Sequence, residues 1–211
     1  MSFRKRQWKQ LRKTGSDGAG GVRNERAPMR CAVMACALAM MLACVPGLKA
    51  QAQTFEEHEA KAAFVLKVVN FVQWPAEAGR TNLVIGVVGE GATGQALQRL
   101  SAGKSVNGQA VVVRRLNGDS DPKLCQVLFI DDSERKNATV LLERLRGASV
   151  LTVGESDGFG QRGGIINLLV QGARIRFEVN SHAAERARLQ ISSRLLALAT
   201  LVNDGSPGGG Q

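Results

Sequence analysis

The sequence has 211 residues, enough for one domain of ordinary size, and carries a formal net charge of +10. Most of this charge lies at one end: residues 1–52 hold ten Lys and Arg against two acidic residues, whereas residues 53–211 hold 18 basic and 16 acidic residues. The domain after residue 52 therefore lacks the basic surface that nucleic-acid binding requires, and this class of partner is excluded.

An uncharged stretch of 15 residues, 31–45, follows the basic segment and precedes Ala50-Gln51-Ala52, which has the small-x-small pattern of a cleavage site. This order is typical of a secretory signal peptide, and the stretch is shorter than the roughly 20 residues of a membrane span. We therefore predict that residues 1–52 are a signal peptide cleaved after Ala52 and that the mature protein is periplasmic. The alternatives are an uncleaved membrane anchor and a start of translation at Met29, which would make residues 1–28 untranslated.

Helical and strand patterns alternate along the rest of the chain. Apolar residues at steps of three and four predict a first helix over 55–72, which Trp74-Pro75 ends. Short apolar, β-branched runs predict six strands at 82–88, 110–116, 126–130, 149–153, 164–170 and 173–179. The further predicted helices span 93–100, 137–145, a short stretch from Asn180 or Ser181 to Leu189, and 192–202.

This alternation predicts an α/β fold in one domain, residues 53–203. Its sheet is expected to be mainly parallel, with about six strands and helices on both faces. Gln171-Gly172 predicts the turn of a C-terminal antiparallel hairpin, which further helices follow. The composition of residues 204–211 predicts a disordered tail.

Cysteine usage limits the covalent and metal chemistry of the mature protein. Three of the four cysteines, Cys31, Cys36 and Cys44, lie in the predicted signal peptide, so Cys125 is the single thiol that remains. One cysteine excludes an internal disulfide and a multi-cysteine metal site. Cys125 precedes a predicted buried strand, which favours an inert thiol over a redox role.

Few residues indicate catalysis or cofactor binding. Residues 89–94 spell GxGxxG between a strand and a helix, but a tight strand-to-helix turn explains this pattern without a nucleotide, and we expect no cofactor. Asp131 and Asp132 favour helix capping over metal binding. His58 and His182 are the two histidines, and no GxSxG motif is present, so we predict a binding domain that is not an enzyme.

Eight segments of the chain, in the same order, resemble the YfiR family and together cover residues 55–202. These are FVQWP (71–75), VIGVVG (84–89), CQVLFI (125–130), VLTVG (150–154), GF (158–159), GGIIN (163–167), RIRFEVN (174–180) and LQISSRLL (189–196).

The resemblance implies a periplasmic α/β protein, often a homodimer, that acts as a negative regulator. The family's best-known member represses YfiN, an inner-membrane diguanylate cyclase, by binding its periplasmic domain, and the lipoprotein YfiB relieves the block. The implied output is a lower level of cyclic di-GMP and less biofilm. The alternative function is a module that binds a small, unidentified ligand and serves another membrane sensor, such as a histidine kinase.

The sequence departs from the family pattern at one cysteine position. Relatives commonly carry a cysteine in the first buried strand, paired with the cysteine that matches Cys125, whereas this chain has Gly86 there. A second cysteine pair, found in some members near the glycine-rich loop, is also absent. Redox control through a disulfide is therefore not expected here, although partner binding does not depend on it.

The first candidate for a partner or ligand surface is the hairpin face of Arg174, Arg176 and Glu178, because alternate residues of a strand share one face. A solvated strand face without a partner is the alternative. Two further candidates are Trp74, which otherwise belongs to the core, and Arg162, whose glycine-rich loop 158–164 forms either an anion-binding nest or a flexible connection. The last apolar side chains of the chain are expected either to form a dimer interface or to pack onto the sheet. They are Ile191, Leu195, Leu198 and Leu201.

Overall fold

A computed structural model of the chain describes residues 47–75, 81–172 and 174–205. The predicted signal peptide up to residue 46 lies outside the described residues, and so do residues 206–211 of the predicted tail. No helix in the described part of the chain combines the length and the apolar character that a membrane span needs.

The described residues form five α-helices, three short 3-10 helices and ten strands. The α-helices are α1 (Gly47–Val68), α2 (Ala92–Ser101), α3 (Ala138–Arg144), α4 (Ser181–Arg186) and α5 (Ser193–Leu196). The 3-10 helices span Val69–Phe71, Pro122–Leu124 and Asp132–Glu134. The strands are β1 (Val72–Gln73), β2 (Asn82–Val88), β3 (Ser105–Val106), β4 (Gln109–Arg115), β5 (Val127–Ile130), β6 (Leu151–Gly154), β7 (Ile166–Gln171), β8 (Arg174–Asn180), β9 (Gln190–Ile191) and β10 (Thr200–Val202).

Eight of these strands form one sheet in the order β10-β8-β7-β6-β5-β2-β4-β3. The pairs are parallel except for β3–β4 and the hairpin β7–β8, and a separate two-stranded sheet joins β1 to β9. The predicted mainly parallel α/β fold with a C-terminal hairpin is confirmed. All six predicted strands are present, and the sheet gains β3 and β10 at its two edges.

Helices cover both faces of this sheet because its central strands are apolar at consecutive positions. In β5, Val127 and Phe129 pack towards α1 and α2, whereas Leu128 and Ile130 pack towards α3. All four of these side chains are at most 1 % exposed. Phe159 from the glycine-rich loop is also fully buried and joins the α3 side of the core.

The predicted last helix over 192–202 is wrong. Only Ser193–Leu196 is helical, and Thr200–Val202 forms β10, which pairs in parallel with residues 178–180 of β8. Without β10, the backbone N–H and C=O groups of β8 would be unpaired at the edge of the sheet. Two of the three β10 residues, Thr200 and Val202, are also β-branched and favour a strand. Leu198 and Leu201 are consequently exposed, at 77 % and 61 %.

Other boundaries also differ from the predictions. The first helix spans Gly47–Val68 in place of 55–72, so its first six residues belong to the predicted signal peptide. The residues after Val68 form a 3-10 helix and then β1, because β1 pairs with β9. Asp204, placed by sequence at the start of the disordered tail, forms an ion pair with Arg186 and accepts a hydrogen bond from Asn180.

Gly86 and Cys125 are neighbours in the fold, as the family's cysteine pairing implies. A Cβ atom added to Gly86 would lie 2.8 Å from Sγ of Cys125 and 2.8 Å from Cδ1 of Leu116. Glycine at position 86 therefore leaves room for the side chains of both residues.

We predict that Gly86→Cys restores a disulfide with Cys125. Closing a loop of this length stabilises the oxidised variant over its reduced form by about 3–4 kcal/mol, less any strain from displacing Leu116. Urea unfolding with and without reductant measures this difference, and mass spectrometry after alkylation counts the thiols.

The matched control is Gly86→Ser, which adds similar bulk without the cross-link and should cost about 1–3 kcal/mol. Alkylation of both position 86 and Cys125 in Gly86→Cys after oxidation would show that the two positions do not reach bonding geometry.

Candidate functional site

The hairpin β7–β8 presents the predicted charged face on a rigid element. Arg174, Arg176 and Glu178 occupy alternate positions of β8; the two arginines are exposed and Glu178 is half-buried. The opposite face of the strand is fixed to the core, since the Phe177 ring lies 4.8 Å from that of Phe64 in α1.

Glu178 differs from the two arginines because it has an internal contact. Its Oε2 accepts a hydrogen bond of 3.1 Å from Nδ2 of Asn167, the residue opposite it on β7. Asn167 is fully buried, so this bond satisfies a buried polar group and helps to fix the register of the hairpin. Arg174 and Arg176 are therefore the residues of this face that remain available to a partner.

Trp74 lies at the other end of the sheet from Arg174. Its indole Nε1 donates to the backbone carbonyl of Gln126 at 3.3 Å, and its ring packs against the core on the α1 side. Gln126 in turn accepts from the backbone N–H of Val84 at 2.7 Å, close to the amino ends of β2 and β5. The structure does not bring Trp74 into one site with the hairpin face.

Arg162 fastens the glycine-rich loop in which it lies. Its Nη1 donates to the carbonyl of Asp157 at 2.7 Å, and its Nη2 donates to Oγ of Ser156 at 2.8 Å. Together with the buried Phe159, these bonds give the loop a defined packed conformation, in contrast to a flexible connection.

A second arrangement of charged residues lies at the carboxyl ends of β5 and β6, where parallel strands of one sheet end at the same edge. Asp131 follows β5, and Glu155 follows β6. Thr93 lies in the first turn of α2 and Lys61 lies on α1, and both of these side chains contact Glu155. We call Lys61, Thr93, Asp131 and Glu155 the carboxyl-edge cluster. Asp131, Lys61 and Thr93 are each at most 7 % exposed.

Lys61 and Glu155 form the centre of the carboxyl-edge cluster. Lys61 Nζ lies 3.0 Å from Oε2 of Glu155 and 2.8 Å from Oε1 of Glu57, and the Lys61 and Glu155 side chains are only 9 % and 5 % exposed. Thr93 Oγ1 donates to Glu155 Oε2 at 3.1 Å, so it accepts the 2.8 Å hydrogen bond from Nδ1 of His58. Side chains from two helices and one strand end are thus joined in one network.

Burial and neighbouring charges shift the pKa values of both groups. Burial raises the pKa of Glu155 and outweighs the attraction of Lys61; a hydrogen bond and repulsion from Asp131 raise it further. Burial alone would lower the pKa of Lys61, but its bonds to Glu57 and Glu155 outweigh this effect and the pKa is raised. The close Lys61–Glu155 contact stabilises the pair, but burying both charged groups costs desolvation free energy.

Asp131 occupies the place where a GxGxxG turn would receive a phosphate. A Cβ added to Gly91, the residue before α2, would overlap Oδ2 of Asp131, so the carboxylate lies directly against the start of this helix. Its other oxygen accepts from the backbone N–H of Ser133 at 3.0 Å, as the capping prediction expected. An anionic pyrophosphate does not fit beside this carboxylate, and the turn is better explained by strand-to-helix geometry.

Sequence reasoning recognised Asp131 as a cap and missed the other members of the cluster. Glu155 carries the same signal as Asp131, since it comes directly after a buried parallel strand. Lys61 interrupts the apolar stripe of α1 and is only 7 % exposed. A lysine at such a buried position normally has an acidic partner. Within the described residues, no group of three or more His, Cys, Asp or Glu is arranged to hold a metal ion.

We predict that Lys61→Met destabilises the protein more at pH 8 than at pH 5. The variant leaves the Glu155 carboxyl without its cation, which costs about 3–5 kcal/mol while that group is ionised. Because the folded-state pKa of Glu155 is already raised, the folded state takes up a proton as the pH falls, and the penalty shrinks towards acid pH. Urea unfolding at the two pH values measures the difference.

Lys67→Met is the matched control, because Lys67 lies on the same helix and is exposed. It should change the free energy of unfolding by less than about 0.5 kcal/mol at either pH. An equal penalty for Lys61→Met at pH 5 and pH 8 would contradict the role of Glu155 ionisation.

Comparison with known proteins yields one family and 12 solved chains, two of which are described below. The model of the YfiR/HmsC-like family (DUF4154) matches residues 58–200. No curated protein matches the chain. A conserved domain protein from Vibrio cholerae has a TM-score of 0.49 and 15 % identity, with 70 % of this chain and 60 % of that chain covered.

The second solved structure is the ABC domain from Streptococcus pneumonia in complex with L-Trp, with a TM-score of 0.48 and 7 % identity. It covers 69 % of this chain and 60 % of that chain. The chain thus spans about 60 % of the length of each structure, and neither likeness bears on function. The family match extends over more than half of the 211 residues, including seven of the eight strands of the main sheet and the carboxyl-edge cluster. The chain belongs to the YfiR/HmsC-like family.

Proposed function

We propose that this protein is a periplasmic regulator that binds the periplasmic domain of an inner-membrane diguanylate cyclase and holds that enzyme inactive. The observation that carries the proposal is the family match over residues 58–200. The signal-peptide pattern of residues 1–52 supports export to the compartment where such a domain is exposed. The expected consequence is a lower level of cyclic di-GMP and less biofilm.

Such regulation requires no catalysis by this chain. A protein that binds one state of a membrane receptor more tightly than the other shifts the equilibrium by that difference in affinity alone. A hundredfold preference for the inactive cyclase corresponds to about 2.7 kcal/mol, which a protein interface readily supplies. A lipoprotein of YfiB type would relieve the block by competing for the regulator.

Arg174 and Arg176 are the first candidates for the surface that contacts the cyclase. Both are exposed on a strand whose other face is packed against α1, so their positions are set before a partner arrives. The strand fixes their backbone positions, so no loop has to be ordered on binding, and arginine is among the residue types that contribute most to interfaces. The partner surface is then expected to be acidic.

A homodimer remains part of the proposal. Of the four apolar residues proposed for its interface, Leu195 is buried, Ile191 is half-buried, and Leu198 and Leu201 are exposed. Leu198 and Leu201 are therefore the two that a second copy would cover.

The competing function is a ligand-binding module that serves another membrane sensor. A groove of about 630 Å³ at the carboxyl ends of β2 and β4 favours it, with Val88 and Leu116 in its lining and Arg115 and Arg144 among its charged residues. Ligands of open α/β sheets bind at such strand ends. A histidine kinase encoded beside this gene, in place of a cyclase, would favour this function.

We predict that Arg176→Glu weakens binding to the periplasmic domain of the cyclase by at least about tenfold, because it places a carboxylate opposite an acidic surface. The melting temperature should change little, since Arg176 is exposed. Calorimetric titration of the purified proteins, together with thermal unfolding, measures both quantities.

Arg194→Glu is the control, because it makes the same charge reversal at another exposed arginine, on α5. Unchanged affinity in Arg176→Glu would remove the hairpin face from the interface. Equal loss in both variants would indicate a general effect of net charge without a defined surface.

A further inference from the structure

A second groove of about 630 Å³ lies between α3, the glycine-rich loop and α4. Three arginines from three separate elements line it: Arg146 after α3, Arg162 in the loop and Arg186 at the end of α4. We call it the arginine groove. Its apolar lining consists of Leu142, Leu145, Ala148, Val150, Ile165, Ala183 and Ala187.

The charges of the arginine groove are not balanced. Its lining contains two carboxylates: Glu143 pairs with Arg146 at 2.7 Å, and Asp204 pairs with Arg186 at 2.6 Å. The guanidinium of Arg162 donates only to neutral oxygens in the bonds described above. The groove therefore carries a net charge of +1 from three arginines and two carboxylates.

Two residues that line the groove also carry buried polar atoms without a hydrogen-bond partner among the described residues. These atoms are Nε of Arg162 and Oε1 of Gln161. Buried polar groups in native proteins are nearly always paired, so the unpaired N–H of Arg162 points to an acceptor group of a ligand, whereas the Gln161 oxygen would need a donor.

We propose that the arginine groove binds a small organic anion, which carries one phosphate or carboxylate group on an apolar body. Guanidinium groups form strong, charge-assisted hydrogen bonds with both kinds of anion. The apolar lining and the volume fit a molecule larger than an inorganic ion. This inference does not depend on the proposed cyclase partner.

Asp204 acts as an internal competitor for this anion. Its Oδ2 forms the ion pair with Arg186, while its Oδ1 accepts a 2.6 Å hydrogen bond from Nδ2 of Asn180. An incoming anion gains the full attraction of Arg186 only by displacing the Asp204 carboxylate. Asp204→Asn keeps an oxygen for Asn180 and removes the charge that holds Arg186.

The test is calorimetric titration of the purified protein with phenyl phosphate, benzoate and phenol as probes. Phenyl phosphate, benzoate or both should bind, whereas uncharged phenol should not. The double variant Arg146→Gln/Arg186→Gln should bind the anion about tenfold or more weakly, and Asp204→Asn should bind it several-fold more tightly. Arg194→Gln removes an arginine outside the groove and should leave the affinity unchanged.

Three results would overturn the proposal: no binding of either anion, equal binding of phenol, or equal weakening in Arg194→Gln and the double variant. Thermal unfolding checks that each variant is folded. If the double variant is not, Arg146→Gln alone serves, since the Arg146 side chain is 79 % exposed. The preference between phenyl phosphate and benzoate identifies the anionic group. Because no cyclase is present, failure here leaves the proposed function untouched.

Discussion

The central strands of the sheet must be covered on both faces, and the rest of the structure follows from this constraint. Consecutive apolar residues such as Leu128 and Phe129 in β5 leave no polar face for water. The chain therefore places α1 and α2 on one side and α3 on the other. These helices leave the carboxyl edge between them, where the charged residues that follow the strands converge.

At that edge, a buried ion pair fixes the first helix to the sheet. Lys61 from α1 contacts Glu155, the residue after β6, and both side chains are nearly inaccessible to solvent. Burial and the neighbouring Asp131 raise the pKa of Glu155, and the positive charge of Lys61 opposes this effect by stabilising the ionised carboxylate. The side chains of the carboxyl-edge cluster bond to one another, whereas Arg174 and Arg176 of the hairpin are exposed to solvent. This division suits a domain that acts by binding.

Local patterns predicted the strands and the fold class because β-branched apolar runs and turn residues act over short distances. Local patterns also predicted the Asn180 cap and the hairpin turn after Gln171, although this turn lies one residue later than predicted. The end of the chain could not be predicted in this way. Thr200–Val202 becomes a strand through pairing with β8, and Asp204 is held by Arg186, a residue 18 positions earlier. Lys61 was missed for the same reason, since its partner Glu155 is distant in sequence.

We propose that this domain restrains a diguanylate cyclase from the periplasmic side of the membrane. The most direct test measures intracellular cyclic di-GMP in the native host with the gene deleted, then complemented by the full chain or by a copy that begins at Gln53. We expect the level to rise on deletion and to return to normal only with the full chain, because residues 1–52 are predicted to direct export. An unchanged level after deletion, or equal rescue by both copies, would contradict the account.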